Sequence, residues 1–295
     1  MKNNGVDRLR LLAILTIIVS VFYFYANLFV PRLIPSFLRI GVTRKPLNIL
    51  ILGTDLNFSA ETRQRIVTES RTDSILLMRV DPIHYKIVLF SIPRDSFVNI
   101  PGFGYSKINA ANVFGSIELT KKTVTALTGV HIDHYLKLNP AAVTNLVNLL
   151  GGIDIYVEKD MYYVDRAQNL YINLKEGWHH LSGLEAQDYM RFRHDNAGDI
   201  GRIDRQQKFL QTLFLNFAKP SNIMKAPTAI AITMRHIDTD LSLAKLIRLM
   251  NFARMLNRSE ILTFTATGEP ATSPYAGSIL VPDREVIQNI VREHF

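Results

Sequence analysis

Residues 48–53 read NILILG, residues 74–80 read SILLMRV, and residues 86–92 read KIVLFSI. Each is a short apolar run bounded by turn formers (Gly53, Asp81-Pro82, Pro93), which is how a buried β-strand looks. If the three form an antiparallel meander, the end of the first, the start of the second and the end of the third share one edge. That edge holds Asp55, then Arg71 and Asp73, then Arg94 and Asp95. Lys107 and Asn109 follow just beyond the Gly102–Gly104 stretch. Charges at strand ends commonly just meet solvent. Pro93-Arg94-Asp95 directly after an apolar strand is awkward on that account, and the five charged residues together point to a site.

Outward from this meander the pattern alternates. Helical periodicity covers 116–128 and 140–149, the latter closed by Gly151-Gly152. Strands fit 134–138 and 153–157, and a capping box, Ser182 with Glu185, opens a helix to about Tyr189. An amphipathic helix follows at 203–218, another near 242–256, a strand at 261–266 and a last helix from 283. The mixture, with no linker inside it, predicts one α/β domain over 47–295.

A second concentration of charge is YMRFR at 189–193. In a helix Arg191 and Arg193 would point about 200° apart, whereas extended backbone puts them on one face. The helix is therefore expected to end near Met190. On the next helix Arg202, Arg205 and Gln206 share a face, with Asp199 just before it. Arginines at a helix start suit bidentate recognition of phosphate oxygens. A local salt-bridge lattice with Asp188, Asp195, Asp199 and Asp204 is the plainer alternative; the phasing favours an anion site.

Carboxylates among arginines imply a divalent cation, Mg²⁺ or Mn²⁺, with Asp55 and Asp73 as its ligands. A remaining carboxylate, Asp95 or Asp199, would act as general base, and the sequence leaves that choice open. No phosphate-binding glycine loop and no HExxH spacing is present. His179-His180 reads as a turn or a surface pair.

The 295 residues carry a net charge of +8 and no cysteine, which excludes disulfides and thiolate chemistry and suits an anionic partner. Residues 11–30 contain no charge and would span roughly 30 Å as a helix. Lys2, Arg8 and Arg10 precede them, so a 10-residue cytoplasmic tail, a signal anchor at 11–30 and a linker at 31–46 are expected. The run ends without a small-x-small site, which argues against a cleaved signal peptide.

LGTD (52–55), RTDSILL (71–77), SIPRD (91–95), KIN (107–109), LLGGIDIYV (149–157), LSGLEAQDYMRFR (181–193) and DIGRIDRQQKFL (199–210) together resemble the LytR–CpsA–Psr family. The resemblance covers roughly 47–215 in order. It implies a three-layer α/β/α sandwich with a mixed central sheet and an apolar groove for a lipid tail. It also implies an enzyme of the bacterial envelope, anchored by one membrane pass. Such enzymes transfer teichoic acid or polysaccharide from a polyprenyl-pyrophosphate carrier to peptidoglycan as a phosphodiester.

By that resemblance Asp55 and Asp73 are the magnesium-associated pair. Arg94, Arg191, Arg193, Arg202 and Gln206 are the pyrophosphate set, with Lys107, Asp199 and Arg205 nearby. Arg94, Asp95, Asp199 and Arg202 are expected to be the catalytic group. Two departures stand: residues 56–70 carry no readable motif, and Asp199 is followed by Ile-Gly where the family often has an aromatic. A noncatalytic lipid- or polymer-binding envelope protein and a membrane-bound transcriptional regulator are the rival readings. A nucleic-acid partner is not expected, because the anchor puts the basic domain outside the cytoplasm.

Overall fold

The computed structural model describes residues 45–54, 71–165, 170–192, 198–217, 222, 237–253 and 255–295. The expected anchor at 11–30 and most of the linker lie outside them. Among the described residues no helix is long and apolar enough to cross a membrane.

The three apolar runs form the predicted meander. β1 (Leu47–Thr54), β2 (Thr72–Asp81) and β3 (Lys86–Ile92) pair antiparallel in sequence. β4 (Phe97–Ile100) and β5 (Gly104–Lys107) form a hairpin, which leads into α1 (Ala111–Thr128). β6 (His134–Leu138) runs parallel to β1, and α2 (Pro140–Leu150) follows. Next come β7 (Ile153–Val157), β8 (Met161–Asp165), β9 (Leu170–Leu174) and β10 (Gly177–Leu181). They pair as two ribbons, β7 with β10 and β8 with β9.

α3 (Gly183–Arg191) and α4 (Gly198–Phe217) lead to β11 (Ile237–Thr239) and α5 (Leu243–Ala253). β12 (Ile261–Thr265), the hairpin β13 (Gly268–Ser273) and β14 (Gly277–Pro282), and α6 (Arg284–His294) complete the chain. The central sheet is mixed, six strands in the order β11-β6-β1-β2-β3-β12.

A strand buried on both faces is apolar throughout, and alternate residues of β1 enter different cores. Leu50 and Leu52 join Ile75, Leu77 and Phe90 under Val124 of α1 and Ile287 of α6. Ile49 and Ile51 join Leu76, Met78 and Leu89 beneath Phe252 of α5 and Leu210 of α4. Helices therefore cover both faces of the sheet. A third core, beyond the sheet edge, gathers Val147 of α2, Ile155 of β7, Ile172 of β9, Tyr189 of α3 and Phe209 of α4. α4 is shared by the second and third cores and ties them together.

Local signals account for the helix limits. Asn139 accepts the Ala142 N–H at 2.9 Å with Pro140 next in line, an N-cap followed by a residue whose missing N–H costs nothing there. Gly151 closes α2 at φ 88°, left-handed backbone that glycine tolerates. Ser182 and Glu185 form the capping box of α3. Two helices start earlier than the periodicity indicated: α4 at 198, and α1 at 111, where Gly115 and Ser116 interrupt it with non-helical backbone. His179-His180 lies in β10 rather than a turn; His180 Nδ1 bonds Asp154 at 2.6 Å on the surface.

α3 sits against α2 at a contact that admits no side chain. A Cβ on Gly183 would lie 2.2 Å from the Thr144 carbonyl oxygen. Gly183→Ala should therefore lower stability by about 1–3 kcal/mol, read as a lower denaturant midpoint with an unchanged m-value.

Candidate active site

The shared rim of the meander is where the sequence put it. β1 ends at Thr54, β2 begins at Thr72, and β3 delivers Pro93-Arg94-Asp95. That last segment is held from several sides by backbone bonds. Ser96 N–H donates to Pro93 O at 3.0 Å, Asn109 N–H to Arg94 O at 3.2 Å, and Leu280 N–H to Asp95 O at 3.0 Å. Arg94 donates through an Nη to Asp73 Oδ1, and its Nε lies 3.6 Å from Asp95 Oδ2. Lys107 Nζ is 2.8 Å from Asp95 Oδ1. The rim is thus a chain of alternating charge, Asp73–Arg94–Asp95–Lys107.

The opposing wall comes from α3 and α4. Arg191 ends α3, and Phe192 leaves the helix with extended backbone (ψ 128°). One turn into α4, Arg202 is 5% exposed and donates to the Asp73 carbonyl oxygen at 3.0 Å, joining the two walls. Gln206 follows one helical turn later on the same face.

Between the walls lies a cavity of about 380 Å³, within the range of small-molecule sites. Its charged and polar lining includes Arg71, Asp73, Arg94, Arg191, Arg202 and Gln206. Its apolar part is lined by Ile51, Leu138, Val143, Tyr163, Leu170, Met190, Phe209 and Leu210. Four guanidiniums against one carboxylate leave three positive charges on the described lining, a field suited to a doubly charged anion carrying an apolar tail.

The structure brings Asp73, Arg94, Arg191, Arg202 and Gln206 to one cavity. Asp95 and Lys107 stand one ion pair behind it. Arg205 does not line it: this side chain is 2% exposed, donates to the Phe192 carbonyl oxygen and lies 5.3 Å from the Phe192 ring centroid. Asp55 and Arg193 lie outside the described residues. Asp199 is on the first turn of α4, and its side chain is also outside them. Asn139 and Pro140 line the cavity too; sequence reasoning placed neither in the site, because an Asn-Pro pair marks the start of a helix and not what that start faces.

Asp188, one turn before Arg191, has its carboxyl pushed up to about 6 by burial, which outweighs the opposing Arg191 charge. A carboxyl with a raised folded-state pKa stabilises fully below its unfolded value, near 3.8, and loses that contribution as pH rises through about 6. Asp188→Asn should therefore melt above the parent at pH 7.5, with the gap closing toward pH 4. Melting curves across that window check it; a constant gap would contradict the sign.

Among the described residues no three His, Asp or Glu side chains form a cation cage. Magnesium in phosphate sites takes one or two carboxylates and fills its other positions with phosphate oxygens and water. Asp73, 30% exposed at the cavity wall, fits that smaller requirement.

The LytR_cpsA_psr family model matches residues 36–293. The regulatory protein MsrR of Staphylococcus aureus is 36% identical over 197 residues, 66% of this chain and 56% of that protein. The chain thus spans little more than half the length of that relative. Polyisoprenyl-teichoic acid–peptidoglycan teichoic acid transferase TagU of Oceanobacillus iheyensis is 31% identical over 250 residues, 81% of this chain and 72% of that protein. TagT bound to LIIa-WTA superposes with a TM-score of 0.70 at 26% identity, covering 85% of this chain and 89% of that one.

Proposed function

The chain belongs to the LytR_cpsA_psr family, and from that premise we propose that it transfers a teichoic-acid or polysaccharide glycopolymer from a polyprenyl-pyrophosphate carrier to peptidoglycan. The observation that carries the reading is the cavity itself, whose described lining combines three net positive charges with apolar side chains. A pyrophosphate with a prenyl tail matches both parts.

An acceptor hydroxyl oxygen attacks the phosphorus that bears the polymer. A phosphodiester forms, the bond from that phosphorus to the bridging oxygen breaks, and polyprenyl phosphate leaves. Arg94, Arg191 and Arg202, with Gln206 as a neutral donor, hold the phosphate oxygens and stabilise charge on the leaving group. Arg193 completes this set by its place in the motif. The acceptor proton passes to Asp95 or Asp199. Asp73 and Asp55 would hold Mg²⁺ or Mn²⁺, which supplies charge neutralisation at the phosphates. Residues 11–30 would anchor the enzyme in the cytoplasmic membrane with residues 47–295 outside.

The test is transfer by the full chain in detergent micelles, given a polyprenyl-pyrophosphate-linked polymer and purified peptidoglycan. Polymer becoming covalently attached, with one polyprenyl phosphate released per link, is the expected result. Donor binding without release would make the protein a noncatalytic binder and sink the proposal.

A further inference from the structure

On the transferase reading above, we infer that the outer face of the β4–β5 hairpin is the docking platform for the acceptor glycan strand. The pairing Phe97 with Lys107 and Asn99 with Tyr105 places these four residues on one face of the hairpin. Val98 and Ile100 on the other face are buried in the core under α1. The outer face begins at Lys107, ion-paired to Asp95, and continues through Phe97 and Tyr105, whose rings are 5.7 Å apart. At the tip Phe103 stacks on Phe114 at 5.0 Å, their planes 15° apart. Tyr105 is 65% exposed and Phe103 55%.

Exposed aromatics in this density on a hairpin are not needed by the core. α1 is broken directly after Phe114, with Ser116 at φ 55°, ψ −155°. Non-glycine residues rarely adopt such backbone, and it persists where the surroundings impose it. Flat rings interleaved with Asn99 and Lys107 suit a partner that has apolar ring faces and hydroxyl or amide edges, as amino-sugar polymers do.

The position selects the acceptor rather than the donor. The apolar wall of the cavity, including Ile51 and Leu210, belongs to the sheet face under α4 and α5. The hairpin packs on the opposite face, and the two meet at the Asp73–Arg94–Asp95 rim. In phosphoryl transfer the attacking and leaving oxygens lie in line on opposite sides of phosphorus. A leaving prenyl phosphate on the groove side therefore puts the incoming hydroxyl on the hairpin side, next to Asp95.

Two measurements on the full-length protein in micelles test this. Binding of peptide-free peptidoglycan glycan strands, followed by calorimetry, should weaken about tenfold in Tyr105→Ala and Phe103→Ala, the effect of losing one aromatic anchor. Tyr105→Trp should recover it. In the transfer assay the same variants should raise the acceptor KM by a similar factor and leave the donor KM unchanged. Unchanged glycan affinity, or a rise in donor KM instead, would overturn the inference. Glycan binding through Tyr105 by a protein that transfers nothing would overturn the transferase reading and leave the platform standing.

Discussion

Arg94→Ala should lower the transfer rate by about 10²–10³-fold, the usual effect of removing one preorganised donor from a developing oxyanion. Three features of Arg94 set this expectation. Its backbone is fixed by the Asn109 N–H, so the guanidinium is aimed before substrate arrives. Its ion pair with Asp73 screens a carboxylate that would otherwise face the phosphates bare. Its other flank faces Asp95, so it is also the link between the cavity and the acceptor side. Arg94→Lys keeps the charge and loses the fork that spans both partners, so it should recover only part of the rate. Single-turnover rates with saturating donor are the measurement. A loss under tenfold for Arg94→Ala would remove Arg94 from the chemistry and leave it a rim ion pair.

Arg205→Met should behave differently, as a stability variant. Arg205 is nearly sealed from solvent, and the Phe192 carbonyl it serves marks the point where the chain leaves α3. Methionine fills much of the volume and leaves that carbonyl without its charged donor, at a cost of about 3 kcal/mol. For a domain of this size that corresponds to a fall in Tm of roughly 6–12 °C. Transfer should decline with it, since Arg191 is positioned by the same helix exit. A Tm within about 2 °C of the parent, combined with lost donor binding, would reverse the assignment and return Arg205 to the ligand.

Much of this was legible in the sequence because the relevant signals are local. The three apolar runs, Asp81-Pro82 and Pro93 fix a meander, and the meander alone brings Asp73 beside Arg94. Helix phasing likewise puts Arg202 and Gln206 on one face. The same phasing grouped Arg205 with them, since helical periodicity gives direction around an axis and not what lies across from it. Whether a guanidinium meets a ligand or the Phe192 carbonyl is a tertiary fact. β8 was missed because Met161-Tyr-Tyr-Val-Asp165 does not alternate in polarity; β9 was missed although Leu170-Tyr-Ile-Asn-Leu174 alternates cleanly, buried and exposed in turn, over only five residues. The hairpin at 97–107 was read only as a Gly102–Gly104 stretch, because its connection, Pro101-Gly102-Phe103, has three residues and lacks the Asn-Gly or Asp-Gly pair of a tight hairpin.

The bond from Arg202 to the Asp73 carbonyl links residues 129 apart in the chain, whereas Arg94 and Asp73 are separated by only 21. By loop length alone the longer contact costs about 1–2 kcal/mol more entropy to close than the shorter one, and it needs α3 and α4 in place. A chain that has folded only as far as the meander owns half of each charge pattern and no cavity. The anion site therefore exists only in the complete fold, and a ligand that fills it would report completion of the fold, not progress toward it.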